Sequence, residues 1–88
     1  MPTPTEPQAK FLLRAWQRDK TTIRDDYRTS TEKACIQRGW IAATGEAVEF
    51  QNSHVVGEVY RVTPSGLMAA SEALRSIALR AMEDVSNR

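Results

Sequence analysis

The chain of 88 residues has one cysteine and one histidine. A lone thiol excludes an internal disulfide framework, and a lone imidazole excludes a zinc site of the usual ligand count. Long hydrophobic runs are missing as well. The longest stretch without a charged residue, Val62 to Ser71, covers 10 residues and contains Pro64 and Gly66. A membrane-spanning helix needs roughly 20 apolar residues. The first 15 residues hold Pro2, Pro4, Glu6 and Pro7 and no unbroken apolar stretch, so no secretory signal is expected and the chain reads as cytoplasmic. Excess charge of one sign is absent too: 12 Lys and Arg stand against 11 Asp and Glu, for a net +1. Such a balance lacks both the self-repulsion of disordered chains and the strongly basic footprint common among nucleic-acid binders.

What is present suffices for one thin core. Apolar residues are 41% of the chain, but 11 of them are alanine. A single domain over residues 7–88 is expected, preceded by a loose Thr/Pro arm at 1–6. The charge is unevenly spread. Residues 1–40 carry eight Lys/Arg and five Asp/Glu, whereas residues 41–60 carry only Glu46, Glu49 and Glu58.

Thr5 and Gln8 have the spacing of a capping box, and Pro7 suits a first helical turn, so a helix is predicted from Pro7 to about Asp19. Phe11, Leu12, Ala15 and Trp16 share its apolar face, and Trp16 and Trp40 are expected as core anchors. Thr22 with Asp25 and Thr29 with Glu32 repeat the capping-box spacing. Two short helices, Ile23 to Arg28 and Ser30 to Arg38, satisfy both, and one continuous helix is the rival arrangement. Gly39 ends that region as a residue free to take positive φ.

From Trp40 the period changes. Trp40–Ala42 and Ala47–Phe50 read as strands separated by a turn at Thr44-Gly45, Asn52-Ser53 as a hairpin tip, and His54–Thr63 as the returning strand. Thr63 and Pro64 then cap a helix over 64–85. Its stripe is expected along Leu67, Leu74, Ala78, Ala81 and Val85, with Ile77 on one flank.

Helices, then Arg38-Gly39-Trp40-Ile41, then a hairpin returning through Tyr60-Arg61-Val62-Thr63-Pro64-Ser65-Gly66-Leu67, resemble a winged helix-turn-helix domain of small bacterial and phage transcription regulators. The resemblance covers residues 29–67. It implies an α+β fold with two to three N-terminal helices, an antiparallel wing at 40–63 and a long C-terminal helix. The family packs three helices before its wing. With only 38 residues ahead of Gly39, the second helix must be a bare turn or two, or absent. The resemblance further implies that the helix at 30–38 reads double-stranded DNA in the major groove.

Winding that helix turns Cys35 and Ile36 to the core and gathers Ser30, Lys33 and Gln37 within about 60° on the other side, with Ala34 beside them. Lys donates to guanine O6/N7, Gln pairs with adenine N6/N7, and a small Ala can approach a thymine methyl. Arg28 and Arg38, at the helix ends, suit phosphates. The three glutamates of the hairpin oppose such a surface. They support a second reading: a non-enzymatic interaction module, phage or plasmid encoded, that binds a host protein complex through Glu46, Glu49 and Glu58.

Nothing in the chain assembles a catalytic constellation. Asp25 and Asp26 diverge on a helix, Ser65 lacks the G-x-S-x-G elbow, and no glycine loop cradles phosphate. His54 reads as a polar turn residue and Cys35 as a small core residue. No cofactor or metal is implied. One apolar set remains unassigned: Met68, Leu79 and Met82, on a flank of the last helix. Together they predict a homodimer interface, whose two-fold axis could set two recognition helices one DNA turn, roughly 34 Å, apart.

Overall fold

The computed structural model describes residues 3–50 and 55–86, the last three by backbone alone. The predicted hairpin tip at Asn52-Ser53 and His54 lie outside the described residues. The first helix, α1, spans Glu6–Gln17. Its capping box is complete: Thr5 Oγ1 accepts from Gln8 N at 3.4 Å, and Thr5 N donates to Gln8 Oε1 at 2.9 Å. The helix therefore begins within the expected arm, and Pro4 is already buried. Asp19 closes it with φ 71°, donating its N–H to Trp16 O at 3.1 Å.

The next segment departs from expectation. Thr21–Arg24 is a strand, β1, not the start of a helix. It lies antiparallel to Val56–Val62, β3, with Ile23 opposite Glu58. Thr-Thr-Ile is a β-branched run that packs well on a pleated surface. The capping-box spacing of Thr22 and Asp25 is coincidental. Asp25 N extends the ladder to Val56 O at 2.9 Å. Arg24 then grips Asp26 with Nε and Nη2 at 2.9 and 2.7 Å, which holds the Asp26 carboxyl below its ordinary range. No helix separates β1 from α2, Ser30–Gln37.

Ile41–Glu49 forms β2, and the sheet order is β1-β3-β2, antiparallel throughout. The predicted turn at Thr44-Gly45 is instead an interruption within β2. Ala43 pairs with Tyr60 and Ala47 with Glu58, so three β2 residues face the single Val59. Gly45 takes φ 88° there, and Thr44 Oγ1 donates to Val59 O at 3.0 Å, replacing a lost ladder bond. Left-handed backbone serves a bulge as readily as a chain reversal.

The last helix, α3, spans Pro64–Ser86. One core cluster draws on every element: Leu12 and Ala15 of α1, Ile23 of β1, Cys35 of α2, Ile41 of β2, Tyr60 and Val62 of β3, and Ala70 of α3, with Trp40 between α2 and β2. The buried line of α3 runs through Gly66, Ala70 and Ala73, with Ile77 partly buried beyond them. It is rotated by roughly a quarter turn from the predicted leucine stripe. Leu67 and Leu74 are only partly buried, and Ala78 and Ala81 are exposed. The cause is that α1 lies along α3, presenting buried Ala9 and Ala15. Small residues set the close approach of the two helices. Trp40 is a core anchor at 2% exposure, but Trp16, at the end of α1, is 50% exposed and lies outside the core cluster. Every described side chain from Ala78 to Glu83 is exposed, so α3 projects beyond the core. Among the described residues, no helix is long and apolar enough to cross a membrane.

Candidate nucleic-acid interface

Helix α2 is short, and both of its ends are capped. At its start Thr29 Oγ1 accepts from Glu32 N at 3.1 Å, while Thr29 N donates to Glu32 Oε1 at 2.8 Å. At its end Gly39, with φ 72°, donates to Ile36 O at 3.1 Å, and Trp40 N donates to Cys35 O at 3.0 Å. This pair of bonds is the Schellman arrangement, which satisfies carbonyls that a helix end leaves open. A tie to other elements comes from the residue that follows β3. Thr63 donates Oγ1–H to Gly39 O at 2.7 Å and N–H to Trp40 O at 2.9 Å, and its Oγ1 accepts from Gly66 N at 3.0 Å. The N-cap of α3 is thereby tied to the C-terminus of α2.

With Cys35 fully buried and Ile36 packed on the core, the opposite face of α2 is free. Ser30, Lys33 and Gln37 are exposed on it and Ala34 is half-buried. Among the described residues neither Lys33 nor Gln37 engages its side chain in a hydrogen bond or ion pair. Arg38 is exposed, its guanidinium carbon 5.5 Å from the Trp40 ring centroid.

Arg28, the other residue suited to phosphate, is partly engaged. Its side chain is one-third exposed, with Nη2 3.9 Å from Asp25 Oδ1 and a buried Nε that has no hydrogen-bond partner. Two cations missed in the sequence lie on the other flank. Lys10 and Arg14 line a groove of about 570 Å³ between α1 and α2, together with Phe11, Thr29, Thr31 and Glu32. Lys10 is held by Glu6 at 3.1 Å, whereas Arg14 has no partner among the described residues. The signal was the four-residue spacing of Lys10, Arg14 and Arg18 along one side of α1. It reads as a solvated face until α2 is known to lie beside it.

Two of the three hairpin carboxylates are engaged by neighbouring side chains. Glu46, in the bulge, pairs with Lys20 at 3.5 Å. Glu58 accepts from Tyr60 Oη at 3.1 Å. Burial, and then this bond, push the Tyr60 phenol above its ordinary range. Glu49 has no partner among the described residues. It sits opposite Val56 and diagonal to Glu58 on the same sheet face, where side chains are roughly 7–8 Å apart. Cys35 is enclosed by the core, and burial pushes its thiol up to about 11. Among the described residues no group of three or more potential metal ligands is assembled. Comparison of the chain with protein-family models, curated proteins and solved structures finds no match.

Proposed function

We propose that this protein binds duplex DNA through α2, as a small winged-helix regulator of transcription. One observation carries the reading: Ser30, Lys33 and Gln37 form a face without partners among the described residues, on a helix that is capped at both ends, tied at its C-terminus to Thr63 and followed directly by a hairpin. A recognition helix needs that combination, because base contacts discriminate only when the side chains arrive in a fixed frame. Arg14 and Arg38 flank the face and supply phosphate contacts, with Arg28 contributing what its ion pair with Asp25 leaves open. In this reading the missing helix between β1 and α2 is replaced by the loop that the Arg24–Asp26 fork braces.

The test is selection from a random duplex library, followed by anisotropy titrations of the enriched sites. Lys33→Ala or Gln37→Ala relaxes base preference and costs about 1–3 kcal/mol at the selected site. Arg14→Ala weakens all sequences alike and flattens the salt dependence. Failure of every duplex to bind at low salt and micromolar protein overturns the proposal.

A second reading makes the hairpin the contact surface for a protein partner. It draws on Glu49, without a partner among the described residues and diagonal to Glu58, and on the exposed Val48 and Val56 at the same end of the sheet. Glu49→Lys separates the two readings. A DNA-binding protein gains affinity for all duplexes from the added charge, whereas a hairpin-mediated complex loses its partner.

A further inference from the structure

We infer that α3 pairs antiparallel with α3 of a second copy, through a seam whose charges are self-complementary. The inference is independent of DNA binding and shares no residue with α2. The face of α3 turned away from the core carries Met68, Glu72, Arg75, Leu79 and Met82, all exposed. Met68 and Met82 are 66% and 65% exposed and Leu79 is 51%. Their spacing alternates four and three, the heptad seam of a paired helix. Neither Glu72 nor Arg75 has an ion-pair partner among the described residues. Ser71 and Ser76 flank the seam and leave room for a second backbone to come near.

The order of the charges selects the occupant and its direction. Two parallel copies in register would set Glu72 against Glu72 and Arg75 against Arg75. Antiparallel copies related by a two-fold axis between Ala73 and Leu74 set each Glu72 against the second copy's Arg75. The same axis sets each Met68 against the second copy's Leu79. Sliding by one heptad repeat puts Glu72 against Met82 and Arg75 against Leu79, which strands both charges on apolar side chains. Only the first register satisfies the seam. The two domains then lie on opposite outer sides of the helix pair, because Ala70 and Ala73 face the other way.

Sedimentation equilibrium of the full chain tests this. The wild type shifts from monomer to dimer as concentration rises. Glu72→Arg or Arg75→Glu places like charges in the seam, and each single variant stays at 9.9 kDa with unchanged helix content by circular dichroism. The double exchange Glu72→Arg/Arg75→Glu restores the pairs and the dimer. A Met68→Cys/Leu79→Cys variant oxidises to a covalent dimer, whereas Leu79→Cys alone does not. In this register the two positions 79 lie 11 residues apart along the axis, roughly 16 Å. A monomeric wild type at every concentration overturns the inference. So does a dimer indifferent to the single reversals, and so does efficient cross-linking of Leu79→Cys alone.

Discussion

Gly66 is the position where helix propensity and packing make opposite predictions. It occupies the first turn of α3, and replacing a helical glycine with alanine favours the helix by up to about 1 kcal/mol. Packing reverses the sign. A Cβ at Gly66 collides with the Trp40 carbonyl oxygen and comes within 2.8 Å of the carbonyl carbon and 2.9 Å of Cα. All of these are backbone atoms that cannot rotate away. Ordinary carbon contacts lie near ~3.5–4.0 Å, so α3 must lift from the Trp40 segment. Overpacking of this kind costs about 1–3 kcal/mol. The displacement also strains the two bonds from Thr63 to Gly39 and Trp40, each contributing about 1 kcal/mol. The net expectation for Gly66→Ala is a loss of about 2–4 kcal/mol, a large part of the stability of a small domain. Thermal unfolding followed by circular dichroism should show a fall of about 10–25 °C. Gly39→Ala is the control. Nothing lies within 4 Å of its added Cβ, so it forfeits only the ease of positive φ, about 1–2 kcal/mol. A Gly66→Ala protein as stable as wild type, or more stable, refutes the close approach of α3 to Trp40.

Asp19 holds a left-handed conformation at φ 71° with only an exposed ion pair to Arg61 at 3.5 Å to set against it. Such pairs contribute little, so Asp19→Gly should raise urea stability by up to about 1 kcal/mol; a decrease contradicts this. The Cys35 thiol, raised by burial to about 11 from an ordinary 9.0, is protonated in both states at neutral pH. Stability is therefore undiminished below pH 9 and is lost between 9 and about 11 as the unfolded thiol ionises first, by about 2–3 kcal/mol. Tyr60, also raised, acts in the same direction at higher pH. Cys35→Ala should flatten the alkaline loss below pH 10 in urea titrations, and an unchanged profile rules the thiol out as its source.

Elements whose signals are local were legible in the sequence. Thr5/Gln8, Thr29/Glu32, Gly39 and Thr63-Pro64 each act within a few residues, and each acts where the pattern placed it. Signals that need a distant partner were not. Thr22/Asp25 matches a capping box as well as Thr29/Glu32 does, and only pairing with β3, more than thirty residues away, makes Thr21–Arg24 a strand. Gly45 announces positive φ without saying whether the chain reverses or bulges. The leucines of α3 outweigh its alanines on any hydropathy stripe, yet the alanines are the buried side because α1 approaches closely there.

The same distinction governs the candidate site. The α2 face was readable because winding alone gathers Ser30, Lys33 and Gln37, and burial of Cys35 fixes which way they turn. The electrostatics were not readable, because charge was weighed along the chain and acts through space. Residues 41–60 hold three glutamates and no cation, but Lys20 reaches Glu46 from just before β1 and Tyr60 donates to Glu58. Conversely, Asp25 and burial claim part of Arg28, while Arg14, without a partner among the described residues, lies beside α2. Fold-dependent pairing thus moves positive charge to the α1 side of α2 and leaves Glu49 as the hairpin carboxylate without a partner among the described residues. A DNA backbone approaching α2 would meet Arg14 on the α1 side, whereas residues 41–60 of the hairpin offer no cation and Arg61 is already paired. That asymmetry predicts stronger phosphate contact along α1 than along the hairpin, so Arg14→Ala should reduce the salt dependence of binding more than Arg61→Ala, which sits on β3 and already pairs with Asp19.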